Sequence, residues 1–194
     1  MVRRIYVKKK NGFDIEAKGV LNDLKENLQI KELEDVIVLN RYDVEGVEDS
    51  DFDKAKTTIF SEPQVDDYFE DEYNYTGYKV FGIEFLPGQF DQRANSLSEC
   101  LQILTEGERP TAKTAKIYLL KGNLTDIQVD KIKKYLINPV DSRECSLDKV
   151  DTLKDKLQIP EDVDIVEGFI NMTDEDCEKF YKKYGFAMDI KDLK

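Results

Sequence analysis

The sequence predicts an α+β fold: two tandem strand-helix-strand-helix-strand modules related by a pseudo-twofold, followed by a short strand and helix extension. Three observations predict it. Residues 12–30, GFDIEAKGVLNDLKENLQI, align with residues 88–104, GQFDQRANSLSECLQIL, so that Phe13 falls on Phe90, Asp14 on Asp91, Ala17 on Ala94 and Leu24 on Leu101, each 77 apart. A second set of matches follows at an offset of about 76: Gly46 with Gly122, Asp51 with Asp126, and Phe60 to Pro63 with Leu136 to Pro139. One residue of drift over a whole unit is what a single loop deletion leaves in a duplicated module. Finally, the apolar spacing alternates between period two and period 3.6, with helices short enough to cover only one face of a sheet, so each module needs the other to hide its remaining apolar surface.

In chain order, Arg3 to Lys10 alternates Ile5 and Val7 inward as a strand, and Ala17, Val20, Leu21, Leu24 and Leu28 recur at helical spacing. Val36 to Tyr42 is a second strand, Phe52, Ala55 and Ile59 mark one face of a short helix, and Val65 to Phe69 is an edge strand. The stretch Glu62 to Gly77 carries six acids and no base, and reads as an exposed connector. The second module repeats the course with a strand at Tyr78 to Leu86, a helix face at Ala94, Leu97, Leu101 and Leu104, and a strand at Ala115 to Leu120. Thr125 is placed to cap the next helix, with Asp126 at its positive end and Val129, Ile132 and Leu136 facing the core. Past residue 150 the pattern changes. Ile159-Pro160 interrupts the chain, Asp164 to Ile170 reads as a strand, and Thr173 opens a helix carrying Cys177, Phe180, Tyr181 and Tyr184 that Gly185 closes in a left-handed conformation. The expected division is 1–72, 73–150 and 151–194. The last residues, Asp189 to Lys194, read as the first turn of a helix that continues beyond them.

Composition removes several functions. With 41 acidic and 29 basic residues the formal charge is −12, which repels a phosphate backbone and argues against nucleic acid as a partner. No stretch reaches the ~20 apolar residues of a membrane span, and the N-terminus has no apolar run of signal-peptide length, so the expectation is a cytoplasmic protein without a membrane partner. Histidine is absent, which excludes a Ser-His-Asp triad, a Cys-His pair and the common zinc sites. Cys100, Cys145 and Cys177 are odd in number, lack metal spacing and read as thiols packed in the core. Asp49, Asp51 and Asp53 imitate the start of a calcium loop, but Lys54 and Phe60 occupy the positions that need glycine and a bidentate glutamate, so they read as solvating and capping acids. No metal site is expected.

The segment Pro87 to Ser96 carries the candidate site. Pro87-Gly88 ends a strand and Gln89, Asp91, Gln92, Arg93, Asn95 and Ser96 open a helix, where free backbone N–H groups and the helix dipole favour an anion or a partner's carboxylate. Arg93 adds a forked donor set. Phe13 to Ala17 occupies the same place in the first module with Asp14 and Glu16, so ordinary capping is the competing reading of Gln89, Asp91, Gln92, Arg93 and Ser96.

Six ordered segments carry a resemblance: NRYDVEG (Asn40 to Gly46), FSEPQVDD (Phe60 to Asp67), LPGQFDQRANS (Leu86 to Ser96), ILTEGERP (Ile103 to Pro110), YLINPVDSRE (Tyr135 to Glu144) and GFAM (Gly185 to Met188). Together they resemble the N-terminal region of bacterial phosphoribosylformylglycinamidine synthases of the large single-chain, clostridial type, also called formylglycinamide ribonucleotide amidotransferases. The resemblance implies a purine-biosynthesis enzyme that uses glutamine-derived ammonia, ATP and magnesium to convert formylglycinamide ribonucleotide to the amidine. It further implies that this region is a fused pair of small-subunit-like repeats leading into a linker, with synthetase and glutaminase domains as its partners. No catalytic residue carries over, because none of the family's ATP, magnesium or glutaminase motifs matches here, and Cys100, Cys145 and Cys177 are not the glutaminase nucleophile. No cofactor is expected on this fragment, with ATP and magnesium belonging to the full-length enzyme. The contrasting expectation is a free-standing α+β module that dimerises or binds a small metabolite.

Overall fold

A computed structural model describes residues 1–154, 162–163 and 165–193. The chain forms two compact units, Met1–Asp155 and Lys156–Lys194.

The first unit is an α+β structure around one antiparallel sheet. Its strands are β1 (Val2–Lys9), β2 (Leu33–Glu45), β3 (Asp66–Glu70), β4 (Lys79–Phe85), β5 (Thr111–Gly122) and β6 (Ser142–Cys145). Their order is β3-β1-β2-β5-β4-β6, so in each half the third strand is outermost and the second lies at the middle of the sheet. The registers agree as well. Val7 pairs with Asn40 and Ile83 with Lys116, while Lys9 pairs with Asp66 and Phe85 with Ser142, the later residue lying 76 positions after the earlier one in every case. Even the turns before the edge strands match: Val65 and Asp66 donate to the Glu62 carbonyl, and Asp141 and Ser142 to that of Asn138. Across the middle of the sheet Asn40 sits opposite Lys116, a residue facing the one 76 positions on.

Four helices cover one face: α1 (Ile15–Glu26), α2 (Asp49–Ala55), α3 (Gln92–Thr105) and α4 (Asp126–Leu136), with a π-helical turn at Lys56–Phe60 continuing α2. Residues two apart on a strand share a face, and Val36, Val38, Tyr42 and Val44 of β2 all lie under helices. Ala17 and Leu24 of α1 pack with Val129 and Ile132 of α4 over Val38, Phe81, Tyr118 and Leu120. Leu97 and Leu101 of α3 pack with Phe52 and Ala55 of α2 over Ile5, Val7 and Val44. Helix starts follow the sequence. Thr125 and Gln128 form a capping box on α4, and Asp91 caps α3 by accepting from the Ala94 N–H at 2.9 Å. Asp14 stands at the matching position of α1 but accepts from Gly12 N–H and Lys18 Nζ instead.

The opposite face corrects one expectation. The two modules are joined edge to edge through β2 and β5, and the connector after β3 is not simply exposed: Tyr73, Tyr75 and Tyr78, with Leu147, pack against the cluster of Tyr6, Leu39, Ile117 and Leu119. Its acids face water while its rings return to the sheet, an arrangement open to tyrosine because one end of the ring is apolar and the other polar. The same face holds a buried charge network. Arg4 Nε and Nη2 donate to the two Asp43 carboxylate oxygens at 2.6 and 3.1 Å, and Arg41 Nε lies 3.1 Å from Asp43 Oδ2. Their remaining donors hold the chain after β6: Arg4 reaches the carbonyls of Leu147 and Asp148, and Arg41 that of Ser146.

Gly122 ends β5 at φ +143°, and a Cβ there would lie 2.1 Å from the Glu32 carbonyl oxygen. Only glycine admits that backbone approach.

In the second unit, a short 3-10 turn (Phe169–Asn171) precedes α5 (Asp174–Tyr184) and α6 (Ile190–Leu193). The strand expected over Asp164 to Ile170 does not form among the described residues, and Asp164 itself lies outside them. Gly168, at φ +75°, turns the chain into the 3-10 segment where an extended run was expected. The helix matches its prediction, with a Thr173–Asp176 capping box and Gly185 left-handed at its end. Phe180 packs within this unit against Phe169, Tyr184 and Phe186, with ring centroids 5.5, 4.6 and 5.6 Å apart. Cys145 and Cys177 are buried as expected, but Cys100 is exposed, because it lies on the outward side of α3 while its neighbours Leu97 and Leu101 face the sheet. Asp49, Asp51 and Asp53 pair with Arg3, Lys54 and Lys56.

Among the described residues, no helix is long and apolar enough to cross a membrane. Among the same residues, no group of acids and cysteines is arranged to hold a metal ion.

Candidate functional site

A cleft of about 700 Å3 opens on the helical face where the two halves meet. Its floor is the pair at the centre of the sheet, Asn40 of β2 and Lys116 of β5, with Thr114, Tyr118 and Ile83 around it. The first turns of α3 supply Gln92, Arg93 and Ser96 as one wall, and Leu136, Asp141 and Ser142, running from the end of α4 into β6, supply another. Phe85 and Phe90 contribute rings that are 44% and 69% exposed.

The polar groups differ in how far the protein already satisfies them. Lys116 Nζ is paired with Glu16 of α1. Glu84 is paired with Arg143 at 2.8 Å, and Asp141 accepts from the Asn138 amide at 3.1 Å. Arg93 donates to the Tyr42 hydroxyl at 3.0 Å, and among the described residues it has no carboxylate within ion-pair distance. Burial pushes the Arg93 guanidinium down, but Tyr42 and the charges of Glu16 and Asp91 outweigh it and hold the group above its ordinary value, so it is a permanent cation. Asn40 Oδ1 is buried and, among the described residues, has no hydrogen-bond partner. A buried acceptor left unmade costs about 1–3 kcal/mol, which makes it a place where a donor is missing. Burial, with some help from the Glu16 charge, pushes the Tyr118 hydroxyl up to about 12, so this part of the floor stays neutral.

The site predicted from sequence separates into two parts. Gln92, Arg93 and Ser96 line the cleft. Gln89 and Asp91 instead border a neighbouring recess of about 220 Å3 beside Arg143. Asp91 is occupied structurally: besides capping α3 it accepts from Thr114 N–H at 3.1 Å and Thr114 Oγ1 at 2.8 Å, tying the helix start to β5. Asn95 is engaged by Arg109 at 2.7 Å. The capping reading therefore describes Asp91, and Arg93 is the charged residue among those of this segment that line the cleft. Asn40, Thr114, Lys116 and Ser142 were missed. A signal for two of them was available, since Asn40 interrupts the apolar positions Val36, Val38, Tyr42 and Val44 on one face of β2, and Lys116 stands 76 residues later at the matching place in β5.

The arrangement has one hydroxyl on a carboxylate among the described residues, Thr114 on Asp91, and that carboxylate is already committed to the α3 cap. The cleft can bind through a cation, hydroxyls, one free acceptor and aromatic surface. Comparison with protein-family models gives no match, and comparison with curated proteins gives none either.

Proposed function

We propose that this chain is the non-catalytic N-terminal domain of a phosphoribosylformylglycinamidine synthase, a cytoplasmic enzyme that amidates formylglycinamide ribonucleotide with glutamine-derived ammonia and ATP. Its two modules are a fused pair of small-subunit-like repeats related by an axis through Asn40 and Lys116. The domain docks on the synthetase domain of the same enzyme and supports assembly of the active site and ammonia path, while ATP, magnesium and the glutaminase chemistry belong to the domains that follow.

One observation carries this reading. Three of the family-like segments, Asn40 to Gly46, Leu86 to Ser96 and Tyr135 to Glu144, are far apart in sequence yet converge around the one cleft, to which they contribute Asn40, Arg93, Ser96, Leu136, Asp141 and Ser142. The absence of histidine and of a poised nucleophile agrees with a domain that supplies surface and not chemistry. The test is complementation. The purified chain should hydrolyse neither glutamine nor ATP, and added to an enzyme of this family lacking its N-terminal region it should restore amidine formation. Turnover by the chain alone, or no complex with the truncated enzyme, would sink the proposal.

The cleft itself favours a second reading, a free-standing module that binds a small metabolite between its repeats. A reading frame continuing past Lys194 into histidine-bearing synthetase motifs would decide for the first reading.

A further inference from the structure

We propose that the cleft between α3 and the centre of the sheet is a binding site for a free small organic monocarboxylate that carries an N–H donor beside a planar apolar body. The proposal stands whether or not the chain is a synthase domain.

Four observations carry it. First, Arg93 presents its guanidinium to the cleft and, among the described residues, has the Tyr42 hydroxyl as its one acceptor, leaving fork donors for a planar anion. Second, among the described residues the buried Asn40 Oδ1 lacks a donor. Third, Phe85 and Phe90 leave ring surface exposed along the same cleft, enough to cover a flat apolar group. Fourth, the matching half of the sheet does without this set. The residues corresponding to Gln92, Arg93, Ser96 and Thr114 are Ile15, Glu16, Gly19 and Val38, on a helix that starts at the matching cap Asp14 and a strand in the same register. The module therefore folds without these polar groups, and their concentration in one half is not a requirement of its architecture.

Charge selects the class of anion. Arg93 and Lys116 face the cleft, but so do Glu84 and Asp141, and Lys116 is already neutralised by Glu16. Glu84 is likewise neutralised by Arg143, so among the described residues Arg93 is left as the cation and Asp141 as the anion without an ion pair. A single positive fork beside a carboxylate suits a monoanionic ligand held at Arg93 and disfavours a phosphate dianion. The cleft is concave and of the size of ordinary small-molecule sites, about 300–1,000 Å3, which favours a free molecule over an acidic side chain of another protein.

The 194-residue chain is titrated with hippurate, which has a carboxylate, an amide N–H and a phenyl ring, while side-chain N–H signals of Arg93 and Asn40 are followed by NMR. The expected result is saturable binding with a Kd of about 1 mM or tighter, centred on those two signals. Hippurate methyl ester, which lacks the charge, and N-methyl hippurate, which lacks the donor, should each bind at least about tenfold more weakly. Arg93→Met should abolish binding, and Arg93→Lys, which keeps the charge without the fork, should weaken it, both with melting curves close to the parent. No shift with hippurate at about 10 mM overturns the proposal, as does an ester that binds equally well, or inorganic phosphate that binds more tightly. If both Arg93 variants fail to fold, the ester and N-methyl comparisons on the parent chain still decide.

Discussion

Replacing Asp43 with alanine tests how the unhelical face of the sheet is held. Asp43 is 3% exposed and stands between Arg4 and Arg41, themselves 2% and 5% exposed. Burial pushes the Arg4 guanidinium down, but Asp43, together with Tyr6, more than offsets it, and removing that carboxylate strands two buried cations. What remains to them are the backbone carbonyls of Ser146, Leu147 and Asp148 at 2.7, 2.7 and 3.1 Å, which do not neutralise charge. Breaking a buried pair from one side costs about 3–5 kcal/mol. In a unit of this size 1 kcal/mol moves the midpoint by about 2–4 °C, so Asp43→Ala should lower Tm by roughly 6–20 °C. Urea unfolding of the 194-residue chain would show the loss as a lower midpoint at unchanged slope. Asp43→Asn, which keeps the shape and removes the charge, should fall close to alanine. Replacing all three together, as Arg4→Met, Arg41→Leu and Asp43→Leu, should recover most of the stability, because the penalty arises from the unpaired cations and not from the net worth of the network. That triple variant would still lose the grip on residues 146–148, read as faster proteolysis there. A loss under about 1 kcal/mol for Asp43→Ala would refute the reasoning.

Other outcomes follow from single contacts. A Cβ on Gly82 would lie 2.5 Å from Cys145 Sγ and 2.7 Å from Ile117 Cδ1, so Gly82→Ala should cost about 1–3 kcal/mol, and adding Cys145→Ala should return part of it; no relief would place the cost elsewhere. Tyr118 is held up to about 12, and Tyr75 is raised by burial and by Tyr6, so both keep their protons when folded after an unfolded tyrosine, near 10, has lost its own. Stability should therefore be full below pH 10 and fall as pH rises from about 10 through 12, with Tyr118→Phe showing a shallower fall in denaturant titrations; an unchanged slope would exclude Tyr118 as a contributor. A thiol reagent on the native chain should modify Cys100 quickly and Cys145 and Cys177 only at the rate of opening, since the first is exposed and burial pushes the Cys145 thiol up; equal rates would contradict the packing.

The strands and helices of the first unit were legible because each carries its period openly. Ile5 and Val7 alternate, and Leu24 and Leu101, both fully buried, sit at matching places on helices whose starts are marked by Asp14 and Asp91. What the sequence hid is non-local. Composition describes Glu62 to Gly77 by its acids, whereas packing is decided by its tyrosines, and nothing in the local pattern says that Tyr73 and Tyr75 approach Tyr6 with ring centroids 6.3 and 6.5 Å apart. The candidate site divided for the same reason. Gln89 to Ser96 reads as one polar run, but a helix turns successive residues about 100° apart, so Asp91 meets Thr114 while Arg93 meets Tyr42. Asn40 could be noticed as a break in an apolar face, but that its oxygen is buried and unpaired among the described residues is a matter of tertiary packing.

The helices also explain why the halves do not stand apart. α1 belongs to the first half, yet Ala17 and Leu24 share their cluster with Phe81, Tyr118, Leu120 and Ile132 of the second. α3 belongs to the second half, yet Leu97 and Leu101 share theirs with Ile5, Val7, Tyr42 and Phe52 of the first. Each half thus lends its first helix to a core completed by the other, and pulling them apart would open both clusters and the β2–β5 pairing together. Fully burying one large apolar side chain is worth about 1.5–3 kcal/mol, so the Leu24 and Leu101 sites together contribute about 3–6 kcal/mol, part of it from contacts across the halves. This exchange leaves the centre of the sheet, at Asn40 and Lys116, between the two helix pairs and capped by neither. A cleft there follows from that exchange; Arg93 lines it and Glu16 reaches it through Lys116, so the starts of α3 and α1 bring opposite charges to the centre of the sheet.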